Sequence, residues 1–175
     1  DPNSRCAIET CGGNGKVFVT GEVTSTTEVT EDDIKTIVHN ISGVEDVIVH
    51  LTKQSPEIAQ GVDTGGAGDQ GIMIGYACRD NEQFLPQEYY LSRELNKFVF
   101  DKYPYDGKTQ VTMNGNSLRV VCSFQNAPSD ELEKLVMKYF TKFPQYHIEA
   151  LHCNPAGDWN IGGFTADAGL TGRKL

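Results

Sequence analysis

The 175-residue sequence lacks a long apolar run. Its longest apolar stretch, at 72–78, is far too short to span a bilayer, which takes about 20 residues, so we expect no membrane partner. A basic start followed by an apolar run, which would mark a signal peptide, is also missing, and we expect a cytoplasmic protein. The chain begins with Asp1-Pro2 and without an initiator Met, so a leader that has already been removed stays an open alternative.

The sequence also has few positively charged residues. Lys and Arg number 15 against 24 Asp and Glu, which gives a formal net charge of −9 at pH 7. Proteins that bind nucleic-acid duplexes usually carry a basic stripe that displaces counterions; none is visible, so we expect no nucleic-acid partner. The acidic total leaves a nucleotide ligand open, because local Lys and Arg, or Mg²⁺ that bridges carboxylates to phosphates, reverse the local sign.

Motifs for zinc and for disulfides are absent as well. The five cysteines are scattered without a C-x-x-C pair, and the four histidines form no H-E-x-x-H spacing. We expect reduced thiols packed as small apolar groups and ordinary structural or surface histidines. Apolar residues make up 38% of the chain and charged residues 22%, which is typical of a globular protein with one compact core or two small lobes.

Apolar periodicity predicts alternating strands and helices. The helix at 31–42, for example, carries one apolar stripe at the i, i+3, i+4, i+7 spacing, formed by Ile34, Ile37, Val38 and Ile41. The predicted strands lie at 16–25, 46–53, 71–78, 109–113, 117–124 and 147–153, and the predicted helices at 31–42, 84–102 and 129–143. The segment 54–71 is Gly-rich and has no periodicity, so we predict a long loop there.

The order of these elements predicts an α+β fold. Two strand–helix–strand units, at 16–53 and 117–153, indicate a duplicated architecture without sequence identity. We expect repeated strand–helix–strand lobes in which helices cover one face of mixed β-sheets. Ser129 or Asp130 is expected to cap the last helix, because short polar side chains accept hydrogen bonds from free backbone N–H groups.

Three short motifs admit both a functional and a structural interpretation. GAGDQG at 66–71 fits G-x-G-x-x-G, but a long loop precedes it and a strand-like segment follows, so we reject a dinucleotide site. Asp106 and Lys108 either border a turn or place a carboxylate and an ammonium at a strand mouth. Trp159, the single tryptophan, either packs in a core or stacks on a base.

The Gly-rich end of the chain, GGFTADAGLTGRK at 162–174, carries a fourth motif. Arg173 and Lys174 are adjacent cations suited to phosphate oxygens. The segment is not a Walker A loop, because G-K-[ST] does not occur. From the residue types alone, a flexible linker with solvated charges is an equally good interpretation.

Taken together, these motifs resemble the S-adenosylmethionine synthetase (methionine adenosyltransferase) family along the whole chain. The similar segments, in the family's order, are DPNSRCAIET at 1–10, the Gly21-Glu22 pair, QSPEIAQGVDTGGAGDQGIMIGYA at 54–77, DGKTQVT at 106–112 and NPAGDWNIGGFTADAGLTGRKL at 154–175. The resemblance implies the central part of an enzyme that is built from three similar lobes. It implies a first lobe at about 1–105 with a flexible loop at 54–71, a second lobe at 106–160, and the start of a phosphate-contacting segment at 161–175.

The family joins L-methionine to ATP, so the resemblance implies these two ligands. The methionine sulfur attacks C5′ of the ribose, and the triphosphate leaves and is then hydrolysed to pyrophosphate and phosphate. Such a site must align sulfur with C5′ and neutralise a highly charged leaving group. The resemblance implies Mg²⁺ and K⁺ as cofactors for this task. Family sites lie between two subunits, which implies at least a homodimer.

The resemblance also assigns roles to individual residues. The implied potassium ligand is Glu9, and the implied methionine-binding residues are Glu22, Gln54, Asp69 and Asp167. The implied ATP-binding residues are Asp106, Lys108, Asp158, Trp159, Asp167, Arg173 and Lys174. Among them, the implied catalytic residues are Lys108, Asp167 and Lys174.

Several departures from the family pattern lead to a second hypothesis. The family's adenine pair is normally Arg-Phe, whereas here Asp158 reverses the charge and Trp159 keeps an aromatic face. Gly-Gly-Pro-x-Gly-Asp becomes GGFTAD at 162–167. The catalytic His-Pro-Asp-Lys motif and further lysines lie outside the matched region, so we expect a truncated part of a catalytic subunit that is inactive by itself. The alternative is a non-catalytic relative that binds ATP or S-adenosylmethionine, or that regulates a complete subunit.

Overall fold

The computed structural model describes residues 1–68 and 70–171. The chain forms two compact units. The first unit joins Asp1–Ile74 to the segment that starts at Gly163, and the second unit consists of Gly75–Gly162. The second unit is therefore inserted into the sequence of the first.

Both units contain the succession strand, strand, helix, strand. From the N terminus the elements are β1 (Arg5–Gly13), β2 (Lys16–Thr24), α1 (Glu31–Ser42), β3 (Asp46–Thr52), α2 (Pro56–Asp63), α3 (Gln87–Phe100), β4 (Gly107–Asn114), β5 (Ser117–Phe124), α4 (Ser129–Phe140), β6 (His147–Cys153) and β7 (Gly169–Leu170). A 3₁₀ turn, Gly163–Thr165, precedes β7.

The two sheets share one central topology. The strand order is β3-β2-β1-β7 in the first sheet and β4-β5-β6 in the second. In each unit the first two strands form an antiparallel hairpin, and the third strand pairs in parallel with the second. A parallel pair needs a crossover, which α1 and α4 provide, because the chain must return to the same end of the sheet. The predicted α+β class and duplicated architecture are confirmed.

The turn between β1 and β2 sets the register of the first hairpin. Asn14 and Gly15 both have positive φ angles, 51° and 73°. These are the angles of a type I′ turn, whose twist matches that of the strands and which favours Asn-Gly. The register that results pairs Gly13 with Lys16 and Ala7 with Glu22.

A small apolar cluster packs α1 against the first sheet. Its buried residues are Val17, Val19, Val44 and Val47, and among the side chains packed against them are Ile34 and Val38 of α1. The helix has the predicted bounds, because Thr30 and Asp33 form a capping box at its start and Gly43 ends it. The other half of the predicted stripe, Ile37 and Ile41, is exposed, so α1 buries only one edge of that stripe.

The larger core lies in the second unit, between α3, α4 and one face of the sheet. Its fully buried side chains are Leu91, Leu95, Val99, Leu118, Val120, Cys122, Phe124, Leu132 and Val136. Every second residue of β5 belongs to this group, as expected where one face of a strand is covered. The intervening residues of β5, such as Ser123, therefore point to the opposite face.

Three segments differ from the sequence-based predictions. β1 forms where we predict no strand. Residues 56–63 of the predicted loop form α2, because Ser55 caps the helix and Pro56 occupies its first turn. The predicted buried strand at 71–78 does not form within the described residues, where Ile72 is 93% exposed. An apolar run predicts burial only when another surface covers it.

The bounds of two helices and of the lobes also differ from prediction. α3 begins at Gln87, after Pro86, and α4 ends at Phe140 with its N-cap at Pro128. The unit boundaries lie at Ile74 and Gly162, whereas we predict a lobe boundary near residue 105. α3 packs against β4 within the second unit, which accounts for this difference. In the described part of the chain, no helix combines the length and apolarity needed to cross a membrane.

A substitution in α4 tests the core of the second unit. Leu132→Ala removes a fully buried side chain, and we expect it to lower the free energy of unfolding by about 2–5 kcal/mol. The single tryptophan, Trp159, lies in the same unit, so its fluorescence during urea denaturation reports this loss. Met137→Ala is the matched control on the exposed side of α4, with an expected cost below about 1 kcal/mol. Equal losses in the two variants would contradict the core described above.

Candidate functional site

Asp106 and Lys108 lie at one end of the second sheet. Asp106 directly precedes β4, and Lys108 is the second residue of that strand. Lys108 pairs with Ser123 of β5, whose side chain points away from α3 and α4. The side chain of Lys108 therefore lies on the sheet face opposite the helices, where it is exposed.

Trp159 is held against the same end of the sheet. Its Nε1 donates a hydrogen bond to Ser123 Oγ at 2.9 Å. Its carbonyl oxygen accepts a hydrogen bond from the backbone N–H of Asn126, also at 2.9 Å. The indole is half-buried, so it combines a fixed orientation with an accessible ring. The tryptophan thus lies beside the strand pair that carries Lys108.

Gly162 packs where these residues meet. A Cβ at this position would lie 2.6 Å from Gln125 Oε1, 2.8 Å from Trp159 Cζ3 and 3.0 Å from Asp106 Cβ. Gln125 also donates its backbone N–H to the carbonyl of Asp106 at 2.9 Å. The structure therefore brings together Asp106, Lys108 and Trp159, which we call the Trp159 cluster. It combines a carboxylate, an ammonium group and an aromatic ring, which suits a nucleotide.

Asp158 is turned toward α4. Its Oδ1 accepts hydrogen bonds from Ser129 N at 3.2 Å, from Ser129 Oγ at 2.5 Å and from Asn154 Nδ2 at 2.9 Å. The hydrogen bonds from Ser129 and Asn154 favour the charged carboxylate and lower the pKa of Asp158. The cap of α4 that we predict from Ser129 or Asp130 is thus supplied by Asp158, which is distant in sequence.

Glu9 and Glu22 lie on one face of the first sheet. Glu22 lies on β2, where side chains alternate between the two faces, so it is on the face opposite the buried Val17 and Val19. Glu9 of β1 pairs with Thr20 of β2, which is on the same face as Glu22. The two glutamates are diagonal neighbours on the face opposite α1, where side chains of adjacent strands reach one another. Thr171 Oγ1 donates a hydrogen bond to Glu9 Oε2 at 3.2 Å, which connects the returning segment to β1.

Gln54 follows β3 at the Glu22 end of this sheet. Thr52 is the last residue of β3 and pairs with Glu22, so Gln54 lies two residues beyond that pair. Its Oε1 is buried and has no hydrogen-bond partner among the described residues. A buried acceptor of this kind fits a ligand that donates hydrogen bonds, since buried polar atoms are usually satisfied.

Asp167 lies at the other end of the first sheet. Its Oδ1 accepts a hydrogen bond from the N–H of Ala168, and a Cβ placed on Gly13 would lie 3.0 Å from Ala168 Cβ. Along β1, Gly13 is six residues from Ala7, the partner of Glu22, which corresponds to about 20 Å of strand. Within the first unit as described, Asp167 and Glu22 therefore do not meet.

Phe164 anchors the segment that carries Asp167, a role that the sequence does not reveal. Its ring packs against the apolar cluster under α1, and its carbonyl accepts a hydrogen bond from Gly15 N at 3.0 Å. The adjacent β7 pairs with Cys11 and Gly12 of β1. The aromatic residue in GGFTAD, which resembles a family proline position, is thus a structural anchor.

Several predictions cannot be placed in this geometry. Asp69, Arg173 and Lys174 lie outside the described residues. Across residues 1–68 and 70–171, no group of three or more His, Cys, Asp or Glu side chains is arranged to hold a metal ion. A cleft of about 520 Å³ runs along α3 and α4, lined among others by Tyr90, Phe98 and Tyr139, and its lining includes none of the predicted site residues.

Comparison with known proteins identifies the same family along the whole chain. A family profile described as "S-adenosylmethionine synthetase, central domain" matches residues 64–159. S-adenosylmethionine synthase 2 of Rhodospirillum rubrum is 34% identical over 212 aligned positions, which cover 100% of this chain and 54% of that protein. S-adenosylmethionine synthase of Fusobacterium nucleatum is 36% identical over 208 positions, with the same coverage of both chains.

A solved structure agrees with these matches. An unusual S-adenosylmethionine synthetase from Campylobacter jejuni superposes with a TM-score of 0.78 at 29% identity, over 100% of this chain and 55% of that chain. The chain spans about half the length of the curated relatives it matches.

A glycine substitution tests the packing of the Trp159 cluster. Gly162→Ala would place a Cβ within 3.0 Å of three side chains, so we expect Trp159 emission to change and the free energy of unfolding to fall by about 1–3 kcal/mol. Gly75→Ala is the control within the same unit, because among the described residues, its chain neighbours aside, no atom lies within 4 Å of its Cβ position. Unchanged fluorescence and stability in Gly162→Ala would contradict the close packing.

Proposed function

The chain belongs to the S-adenosylmethionine synthetase family, and we propose that it forms part of a methionine adenosyltransferase, a transferase that makes S-adenosylmethionine from ATP and L-methionine. The observation that carries this proposal is the Trp159 cluster, in which the similar segments at 106–112 and 154–175 are packed together. We propose a cytoplasmic location for this enzyme.

The proposed reaction needs positioning and charge neutralisation. The methionine sulfur forms a bond to C5′ of ATP while the bond from C5′ to the triphosphate oxygen breaks, and a sulfonium ion results. A thioether sulfur attacks through a lone pair and carries no proton, so the step requires no general base. The triphosphate that departs is hydrolysed to pyrophosphate and phosphate. The residues must therefore align two ligands and stabilise a polyanion.

The Trp159 cluster, within the second unit, is the proposed nucleotide-binding group. The half-buried indole offers a face for stacking on adenine, an interaction that tolerates any base. Lys108 extends an ammonium group from the same sheet edge, where it would meet phosphate oxygens. Asp106 is exposed beside them and is proposed as a further ATP contact. Arg173 and Lys174 are proposed as additional phosphate ligands.

Glu22 and Gln54, within the first unit, are the proposed methionine-binding residues. Methionine carries an α-ammonium group, which donates hydrogen bonds and a positive charge. Glu22 offers a carboxylate, and Gln54 offers a buried acceptor that lacks a partner among the described residues. Both lie at one end of the first sheet, so together they complement an ammonium group. Asp69 is proposed as a further carboxylate near the methionine.

We propose that two copies of the chain complete one site. Asp167 is the proposed contact to both ATP and methionine, yet within one copy it lies at the opposite end of the sheet from Glu22. On the face that carries Glu22, four directly paired residues, one from each strand, form a line across the sheet. Three are apolar and one is a cysteine, namely Leu170, Cys11, Phe18 and Ile48. All four are exposed, as expected of a surface that another subunit covers. A homo-oligomer would supply both that cover and the missing Asp167.

Mg²⁺ and K⁺ are proposed cofactors of this enzyme. Glu9 and Thr171 offer a carboxylate and a hydroxyl oxygen, the type of ligand that hard cations take, and Glu9 is the proposed potassium ligand. When bound, such cations would neutralise the negative charge of the triphosphate.

A non-catalytic relative is the alternative function. Asp158 favours it, because this carboxylate is bonded to Ser129 and Asn154 where the family pattern has an arginine at the adenine. Such a protein would bind ATP or S-adenosylmethionine, or regulate a complete subunit, without transferring an adenosyl group.

The activity of the isolated chain is a direct test. We expect the 175-residue chain to form no detectable S-adenosylmethionine from ATP and L-methionine with Mg²⁺ and K⁺, because it spans about half of its relatives. Product formation is followed by liquid chromatography and mass spectrometry. Detection of S-adenosylmethionine at a rate above that of a heat-denatured sample would contradict this expectation.

The proposed roles of Lys108 and Asp167 are tested by substitutions in the full-length natural protein to which this sequence belongs. Lys108→Ala and Asp167→Ala are each expected to lower kcat/KM about a hundredfold or more, because each removes a charge from the reacting ligands. Lys138→Ala on α4 and Asp32→Ala on α1 are charge-matched controls at exposed positions, with activity expected near that of the unsubstituted protein. Full activity of either site variant would rule out the role proposed for that residue.

A further inference from the structure

Asp158 and Trp159 are adjacent in sequence, but their side chains have different partners. The Asp158 carboxylate bonds to Ser129 and Asn154, whereas the Trp159 indole bonds to Ser123. Building on the nucleotide site proposed above, we propose that Asp158 is a positioning residue, which holds Trp159 in place for stacking and does not itself contact the nucleotide.

The first support is the connection from Asp158 to α4. The first N–H groups of a helix have no partner within the helix, and a carboxylate there satisfies them and complements the positive end of the dipole. Asp158 accepts both the backbone N–H and the hydroxyl of Ser129, the first residue of α4. α4 is itself fixed by the buried Leu132 and Val136. Asp158 therefore attaches its loop to a rigid element.

Asn154 provides the second support. It is only 4% exposed and has a φ angle of 41°, so it is held in a backbone conformation that few residues adopt. Its Nδ2 donates to Ala127 O at 2.8 Å and to Asp158 Oδ1 at 2.9 Å, and its Oδ1 accepts from Phe124 N at 3.1 Å. Asn154 thus connects the end of β5 to the loop that carries Asp158.

These connections limit where the Trp159 ring can go. The residue before it is fixed to α4, and its own carbonyl oxygen is fixed by Asn126 N. With the backbone held at both points, the indole reaches Ser123 and lies beside the strand pair of Lys108. Because a carboxylate only accepts hydrogen bonds and α4 presents donors, the chemistry of Asp158 matches this support. The three donors all bond to Oδ1, so this oxygen of Asp158 is already occupied.

Trp159 fluorescence tests the positioning directly, because it is the only tryptophan in the chain. In Asp158→Ala the three hydrogen bonds are lost, so we expect a red-shifted emission maximum and a larger Stern–Volmer constant for acrylamide quenching. Asp158→Asn keeps an oxygen acceptor at the same position and is expected to retain the wild-type values. Ser129→Ala removes one of the three donors and is expected to give an intermediate result.

Asp130→Ala is the matched control. It also removes a carboxylate from the first turn of α4, but Asp130 bonds to Lys134 and not to the Trp159 loop. We expect unchanged emission and quenching in this variant. A fall in melting temperature of Asp158→Ala without a change in Trp159 quenching would overturn the proposal, because Asp158 would then act as a helix cap only.

A MgATP titration followed by Trp159 emission separates positioning from contact. Loss of ordered stacking is expected to weaken the affinity of Asp158→Ala for MgATP about tenfold, whereas Asp158→Asn rescues it. If Asp158→Asn loses as much affinity as Asp158→Ala, the charge itself meets the nucleotide and the proposal is wrong. If the unsubstituted chain shows no MgATP binding, the proposed nucleotide site fails, while the acrylamide result still decides whether Asp158 positions Trp159.

Discussion

Burial of one face of each sheet against helices determines where the candidate side chains lie. In the second unit, α3 and α4 take the face that carries Val120 and Cys122, so the intervening Ser123 and its partner Lys108 are directed to the other face. In the first unit, α1 takes Val17 and Val19, and the glutamates lie opposite. Strand alternation leaves no other arrangement while those valines stay buried.

Much of the fold follows from local signals. α1 and β6 have their predicted bounds, since a capping threonine defines the start of α1 and polar and apolar residues alternate along most of β6. The segment at 71–78 shows the limit of such signals. Composition predicts a strand there, but a strand also needs a neighbour with which to share hydrogen bonds, and its sequence holds no information about that neighbour. The helix at 56–63 shows the opposite case, because its Ser-Pro start is a local helix signal within a glycine-rich segment that predicts a loop.

In the candidate site, too, some features follow from the sequence and others depend on the fold. The proximity of Asp106 and Trp159 cannot be predicted from the residues next to them in sequence. It depends on Gly162, which packs against both, and on Gln125, which bonds to Asp106 from a distant part of the sequence. Residue similarity to a family predicted that both belong to one nucleotide site, and the geometry supplies a physical reason for their proximity. For Asp158, similarity implies a contact with ATP, which stays a prediction, and the structure adds bonds to Ser129 and Asn154 that the sequence does not reveal.

The interrupted path of the first unit has a consequence during protein synthesis. β1, β2 and β3 leave the ribosome before the inserted unit, but β7, which pairs with β1, follows only after every strand and helix of that unit. Domains usually fold in the order in which they emerge. Here the first unit starts before the inserted unit and is completed after it, and until then the outer edge of β1 offers unpaired N–H and C=O groups to other strands. During synthesis of the inserted unit, the strand that carries Glu9 is therefore exposed to mispairing.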